Sequence, residues 1–340
     1  MFHETQTMSA ERDWAAEEES HLRPPRAVVL IPCHNEELTI SETVEQFHHY
    51  LPEAAVYVFD NNSTDQTVKR ARAAGAHVFH EQRQGKGYVV QAMFREVDAD
   101  VYVMVDGDGT YPASAVRDLV EPILRKEADM VVGSRWRGRS VSGAKLLNRL
   151  GNGFFLFVLN LVFHLRLTDV LSGYRAFNRD FVKGIPLHGG GFEIETELTV
   201  KAIERRYRIV EVPIKVSGRC SGSHSKVRVL RDGFIILNTI LALFRDYKPL
   251  TFFGLAGLAL NGCGLLAGVI GVLGSAQGKV VSTLPAVVLS LGLSLAGMHA
   301  IAIGLILHTI TRRAQESDHQ LRILMDELRL RRNRNGSDEE

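Results

Sequence analysis

Cysteine is scarce: Cys33, Cys220 and Cys263 are the three in 340 residues, an odd number at wide spacings. That excludes a disulfide framework and a cysteine-rich zinc site, and it fits a reducing compartment. Net charge is nearly absent as well. Lysine and arginine total 40 against 39 acidic residues, a balance of +1, and no basic low-complexity tract marks the chain for nucleic acid. Residues 1–25 lack the basic flank and apolar centre of a secretory signal and carry acidic residues instead. They read as a polar, disordered arm ending at Pro24-Pro25. What the chain does have is 45% hydrophobic residues, enough for one large domain or two smaller ones.

From Arg26 short apolar runs alternate with amphipathic stretches. Strands are expected at Ala27 to Pro32, Ala55 to Asp60, Ala76 to His80, Val101 to Asp106 and Asp129 to Ser134. Helices are expected at Leu38 to Tyr50, Asp65 to Ala74, Gly87 to Val97 and Pro112 to Lys126. Such alternation predicts an α/β fold, a mostly parallel sheet with helices on both faces. In that fold ligands bind beyond the carboxyl ends of the strands. Four of the five strands end in polar clusters there: Asn35 and Glu36; Asp60, Asn62 and Asp65; Asp106 and Asp108; and Arg135.

The stretch VYVMVDGDGTYP, Val101 to Pro112, ends in two carboxylates separated by one glycine. It suits a divalent cation, and its alternative is a solvated Asp-Gly turn. In RQGKGY two glycines flank Lys86, an arrangement open to an anion or to an ordinary helix-entry turn. After Arg135 the alternation stops. Ala144 to Leu165 reads as an interfacial helix or a buried core helix. TDVLSGYRAF follows, then GFEIETEL, whose Glu193, Glu195 and Glu197 suit the first turn of a helix beginning near Phe192. Arg208 to Val216 alternates like a strand that extends the sheet. Beyond it Arg219, Lys226, Arg228 and Arg231 form a basic loop suited to phosphates or lipid headgroups.

Pro249 to Gly278 and Val280 to Thr311 hold no charged residue. Each exceeds the roughly 20 apolar residues that span a bilayer, so two transmembrane helices are expected, near Leu250 to Leu273 and Pro285 to Ile310. Arg245, Lys248, Arg312 and Arg313 flank the pair, against Lys279 alone between them. The positive-inside rule then puts both termini and the α/β domain on the cytoplasmic face of the membrane. The tail helix from Arg313 to Arg334 has leucines at helical spacing. It could pack on the catalytic domain, sit solvated, or join another copy of the chain in a homo-oligomer.

A metal-binding carboxylate pair, basic loops and two spans are explained together by a nucleotide-diphosphate sugar as donor and a lipid phosphate as acceptor. IPCHNEE, DNNSTDQT, RQGKG, DGDGTYP, VVGSR, LSGYRAF, GFEIETEL and SHSK, in this order over Ala27 to Lys226, resemble the inverting GT-A glycosyltransferases of family 2. Within these the chain is similar to the polyprenyl-phosphate group that includes dolichyl-phosphate mannose synthases. The resemblance implies a GT-A, Rossmann-like catalytic domain over 26–225. An interfacial helix (226–248), a two-helix transmembrane hairpin (249–311) and a cytoplasmic tail (312–340) would follow. It implies Mg2+ or Mn2+ on Asp106 and Asp108, with Asp108 the more direct ligand. Pro32, Asn35, Glu36, Asp60, Asn62 and Lys86, with Asp106, would bind the nucleotide sugar. Arg135, Arg149, Ser172, Arg175 and Lys226 would contact the acceptor phosphate. Asp169 and Glu195 join Asp106, Asp108 and Arg135 in the catalytic set as orienting groups, with no base assigned.

Two departures from the family pattern stand out: Asn61 where a second aspartate is usual, and Thr110 where some members place a glutamine. The implied reaction transfers a sugar, from a UDP-sugar in preference to GDP-mannose, to undecaprenyl or dolichyl phosphate. A processive polysaccharide synthase would want a Gln-x-x-Arg-Trp motif and more spans; Arg135-Trp136 lacks that glutamine. A non-catalytic nucleotide-sugar-binding scaffold is the third reading, and the intact carboxylate pair speaks against it.

Overall fold

The computed structural model describes residues 26–135, 167–191, 194–217, 244–276 and 280–336, with isolated helical residues between them. The chain divides into two compact units, one spanning Arg23–Ile240 and one that includes Leu241–Glu340.

In the first unit β1 (Ala27–Cys33), α1 (Ile40–Tyr50), β2 (Ala55–Asp60), α2 (Thr67–Ala73), β3 (His77–His80), α3 (Lys86–Glu96), β4 (Val101–Met104), α4 (Val116–Leu124) and β5 (Met130–Ser134) alternate as expected. The chain then adds β6 (Arg175–Asn178), α5 (Arg179–Gly184), α6 (Ile194–Glu204) and β7 (Ile209–Pro213). Seven strands form one sheet in the order β3-β2-β1-β4-β6-β5-β7. All neighbours are parallel except β6, which runs antiparallel to both β4 and β5. β7 pairs in parallel with β5, so the alternating Arg208 to Val216 stretch does extend the sheet.

The sheet is buried on both faces. Val29, Ile31, Val101 and Val103 point into one core with Ile40, Val44 and Phe47 of α1. Val28, Leu30, Tyr102 and Met104 point into the other with Val89, Val90 and Met93 of α3. Successive side chains of a strand face opposite ways, so a strand covered on both sides must be apolar at every position. This is why β1 and β4 read as unbroken apolar runs. β4 ends at Met104, two residues before the expected limit, and leaves Asp106 in the turn that follows.

β6 was not expected from the sequence. Because it is antiparallel, it starts at the edge where β4 and β5 finish, so the 169–173 segment leading into it arrives beside their polar ends. One reversed strand thereby brings LSGY to the same rim as DGDG and GSR.

In the second unit α7 (Pro249–Ala276) and α8 (Val280–Gly336) form an apolar helical pair. Pro249–Ala276 and Leu284–Ala314 are long and apolar enough to cross a membrane, with mean hydropathy 1.9 and 2.0. Only 17% and 6% of their apolar windows are buried, unlike the core helix of a soluble protein. The helices meet through small residues. Gly257, Gly264 and Gly271 of α7 are buried, seven residues apart, and a Cβ on Gly257 would lie 2.6 Å from the Gly297 carbonyl oxygen. That spacing is a close-packed seam of the kind helices use in lipid. The tail is not a separate helix: α8 runs unbroken through it to Gly336.

Candidate active site

Asn35 has a left-handed backbone (φ 52°) after β1, and its Oδ1 accepts from Thr64 N at 2.8 Å. Asn35 N donates to Ser63 Oγ and Glu36 N to Thr67 Oγ1, so the loops after β1 and β2 are tied together. Pro32 is opposite Phe59 in the β1–β2 register, one step before this tie. Asp60 is buried; it accepts from Ser63 N and lies 3.0 Å from His80 Nδ1. Asn62, also left-handed (φ 61°), donates to Gln82 O and Gln84 Oε1.

Asn61 explains its own departure from the family pattern. Buried, it donates through Nδ2 to Glu81 O (2.9 Å) and Arg83 O (2.8 Å), and its Oδ1 accepts from Gly85 N (2.8 Å) and Gln84 Nε2 (3.2 Å). Only an amide carries both donors and an acceptor; an ionised carboxylate here would face two carbonyl oxygens. Asn61 therefore folds the 81–85 loop that delivers Lys86.

Lys86 opens α3. Its Nζ lies 2.5 Å from Asp106 Oδ1 and 2.5 Å from Glu195 Oε1, bridging the turn after β4 to α6. Burial alone would lower its pKa, but the two carboxylates outweigh that and raise it well above the ordinary lysine value. The loop needs glycine on both sides of Lys86. Gly87 N donates to Gly190 O, and a Cβ on Gly85 or Gly87 would fall about 2 Å from the Gly190 or Gly189 carbonyl oxygen. Glu197 holds the opposite side of that contact. It accepts from His188 N and Gly189 N and pairs with Lys201 Nζ at 2.6 Å.

Asp106 and Asp108 share one turn at the sheet edge. Asp108 Oδ1 accepts from Thr110 N (3.1 Å) and Thr110 Oγ1 (2.6 Å), so Thr110 orients this carboxylate. Asp108 also lines a cleft of about 690 Å³ that runs beside Thr39, just before α1, and Thr43 and Gln46 of α1. A Cβ on Gly173 would lie 2.4 Å from Asp106 Oδ2, so the backbone entering β6 passes flush against that carboxylate. Tyr111 accepts from Gly173 N through its hydroxyl (3.0 Å) and fixes this approach.

Arg135 follows β5. Its N and Nε donate to Asp169 Oδ2 (3.0 and 2.7 Å) and its Nη2 to Asp169 Oδ1 (2.8 Å). Among the described residues Nη1 makes no hydrogen bond. Burial would lower its pKa, and Tyr111 and Asp169 instead raise it above the ordinary arginine value. Asp169 thus holds the Arg135 guanidinium along one edge. The Thr168–Asp169 turn is held by Glu211 of β7, which accepts from both backbone nitrogens.

Two expected phosphate contacts are corrected. Arg175 is fully buried, donating to Ser172 O (2.9 Å), Thr199 Oγ1 (2.9 Å) and Val170 O (2.5 Å). A guanidinium so satisfied inside the core ties the loop before β6 to α6 and reaches no acceptor; burial lowers its pKa. Ser172 is likewise buried, its Oγ donating to Gly133 O at 2.6 Å. Arg149, Glu193 and Lys226 lie outside the described residues. Asn61, Tyr111 and Glu211 are further residues that shape the site. Only Asn61 had left a signal, as a departure from the family pattern.

One sheet edge thus carries the Asp106–Asp108 turn, a lysine bridging two carboxylates, and an arginine gripped by Asp169 along its Nε–Nη2 edge. The model of glycosyl transferase family 2 matches residues 28–185. The chain is 34% identical over 243 residues to the glycosyltransferase AglJ of Haloferax volcanii, covering 71% of this chain and 80% of that one. It is 30% identical over 206 residues to the undecaprenyl-phosphate mannosyltransferase of Micrococcus luteus, covering 56% and 82%. Among solved structures, glucosyl-3-phosphoglycerate synthase from Mycobacterium tuberculosis in complex with Mn2+, UDP-glucose and phosphoglyceric acid superposes with a TM-score of 0.55. That match is 23% identical and covers 65% of this chain and 80% of that one, a likeness of fold. The chain belongs to glycosyl transferase family 2 and is a glycosyltransferase.

Proposed function

We propose that the protein transfers a sugar from a nucleoside-diphosphate sugar, with UDP favoured over GDP, to a polyprenyl phosphate, with inversion at the anomeric carbon. The observation that carries this is the shared rim: Asp106 and Asp108 lie in the turn after β4 and Arg135 follows β5, both strands flanking β6, and among the described residues the Arg135 Nη1 makes no hydrogen bond. The two apolar helices supply a reason for a lipid acceptor, and the relative from Micrococcus luteus is named for one. By the flanking charges, the catalytic unit and both termini face the cytoplasm.

The carboxylate pair is a hard-oxygen donor set. Asp106 and Asp108 would hold a divalent cation, with diphosphate or water oxygens completing its shell. That is the manner in which Mg2+ or Mn2+ is held with phosphate substrates, and the solved relative holds Mn2+ with UDP-glucose. Bound there, the cation would neutralise charge on the departing nucleoside diphosphate.

The chain's own residues do the rest. Lys86 adds a positive charge beside Asp106, and the Asn35, Asp60 and Asn62 loops border the place for the nucleotide. Arg135 orients the acceptor phosphate. With a second pKa of about 6 that phosphate is already deprotonated at neutral pH, so an oxygen can attack without a general base. Positioning and charge stabilisation then supply most of the acceleration.

The test offers purified full-length protein a panel of UDP- and GDP-sugars with undecaprenyl or dolichyl phosphate, with and without EDTA, and identifies lipid products by mass spectrometry. A β-linked lipid-phosphate sugar that vanishes with EDTA is expected. Transfer that survives chelation and Asp108→Ala sinks the metal assignment, and absence of any lipid product sinks the acceptor.

A further inference from the structure

We propose that Glu211 is a positioning residue for the acceptor side of the site, acting on Arg135 through the Thr168–Asp169 turn. The inference rests on Arg135 being the acceptor-phosphate contact. Glu211 lies on β7 opposite Val132 of β5 and is buried. A buried carboxylate is costly unless its lone pairs are met. Here Oε1 accepts from Thr168 N (2.8 Å) and Asp169 N (3.0 Å), and Oε2 accepts from Thr168 Oγ1 (2.9 Å).

Two successive N–H groups converging on one oxygen fix the backbone of the turn and the direction in which the Asp169 side chain leaves it. Asp169 in turn grips Arg135 through its backbone nitrogen, Nε and Nη2. A second route runs through Thr168, whose Oγ1 is 2.7 Å from Ser134 Oγ, one residue before Arg135. Both routes from Glu211 therefore end at the last residues of β5 and the start of the loop that carries the guanidinium. Glu211 is not a catalytic residue, because the Thr168–Asp169 turn stands between it and Arg135.

Without Glu211, Arg135 keeps its charge and its partner but the pair loses its anchor to the sheet. Attraction to phosphate survives, while the fork spends less time in the orientation that binds two oxygens at once. The loss falls on the acceptor. Donor binding depends on the Asp106 and Lys86 side of the rim, to which Glu211 makes no hydrogen bond among the described residues.

The experiment measures saturation with undecaprenyl phosphate and, separately, with the donor for wild type, Arg135→Ala, Glu211→Ala, Glu211→Gln and Thr168→Val, alongside Tm. Glu211→Ala should raise the acceptor KM about tenfold, the usual scale for removing an outer partner of a ligand-binding group, with the donor KM within about twofold. Glu211→Gln should recover most of the loss, because its amide oxygen still accepts from both nitrogens and its NH2 can donate to Thr168. Thr168→Val should give a rise of about threefold, reflecting one lost hydrogen bond, and decides the matter should Glu211→Ala not fold. An equal rise in both KM values for Glu211→Ala, or an unchanged acceptor KM in Thr168→Val and a folded Glu211→Ala while Arg135→Ala raises it, overturns the inference alone. An unchanged acceptor KM in Arg135→Ala overturns the acceptor role of Arg135, and the inference with it.

Discussion

Lys86 and Arg135 stand on the same rim and are handled in opposite ways. The ammonium is enclosed by two carboxylates from different elements, its side chain 12% exposed. The guanidinium is gripped along one edge by a single carboxylate and is 28% exposed. Lys86 therefore acts as a structural cation that sets the spacing of Asp106 and Glu195, and shares its charge with whatever joins Asp106. Arg135 is a pre-aimed fork with donors to spare. The supports differ to match: a neutral amide, Asn61, folds the lysine loop, and a chain of two carboxylates, Glu211 and Asp169, aims the arginine.

The largest effect should come from Lys86→Met, which leaves Asp106 and Glu195 without the cation between them. A loss of about 3 kcal/mol is expected from stripping one partner of a buried ion pair. It should appear in denaturant unfolding and as a donor KM raised far more than the acceptor KM; a selective acceptor defect would mean that Lys86 and Arg135 do not divide the two substrates between them. Asn61→Asp comes next. Turning a carboxylate toward Glu81 O and Arg83 O should cost about 2 kcal/mol and again weaken the donor, read by calorimetric UDP titration. Arg135→Lys keeps the charge but not the fork, so the acceptor KM should rise about tenfold with the donor KM unchanged. Equal performance by lysine would reduce Arg135 to a point charge.

The smallest effect concerns pH. Both cations have folded pKa values raised above their unfolded ones. The stability they contribute is thus complete below the ordinary lysine value of about 10.4 and is lost only as pH rises through the higher folded values. The acceptor kcat/KM should accordingly show an acid limb near the phosphate's second pKa of about 6 and stay flat to about pH 9. An alkaline limb between 7 and 9 would mean that another group titrates.

Much of the fold was legible because strands covered on both faces must be apolar throughout, as AVVLIPC and VYVM are. β6 escaped because it is four residues long and opens on Arg175, whose charge points to a ligand when read in isolation. Its partners, Val170 O and Thr199 Oγ1, come from a preceding loop and from α6, and no local pattern announces such a pairing. At the rim the carboxylate pair and Arg135 were visible as chemistry. The groups that aim them were not, since Asn61 acts on residues about twenty positions away and Glu211 on a turn 42 and 43 positions before it.

Gly85 and Gly87 press on Gly189 and Gly190 backbone to backbone, and this limits how the sequence can drift. A bulky side chain in a core can be forgiven by a smaller neighbour. A methyl group at position 87 meets a carbonyl oxygen that every residue type possesses, so no substitution at 189 or 190 can make room for it. The two segments, about a hundred positions apart, therefore form a mutational dead end on one side: a side chain at 85 or 87 has no suppressor at 189 or 190.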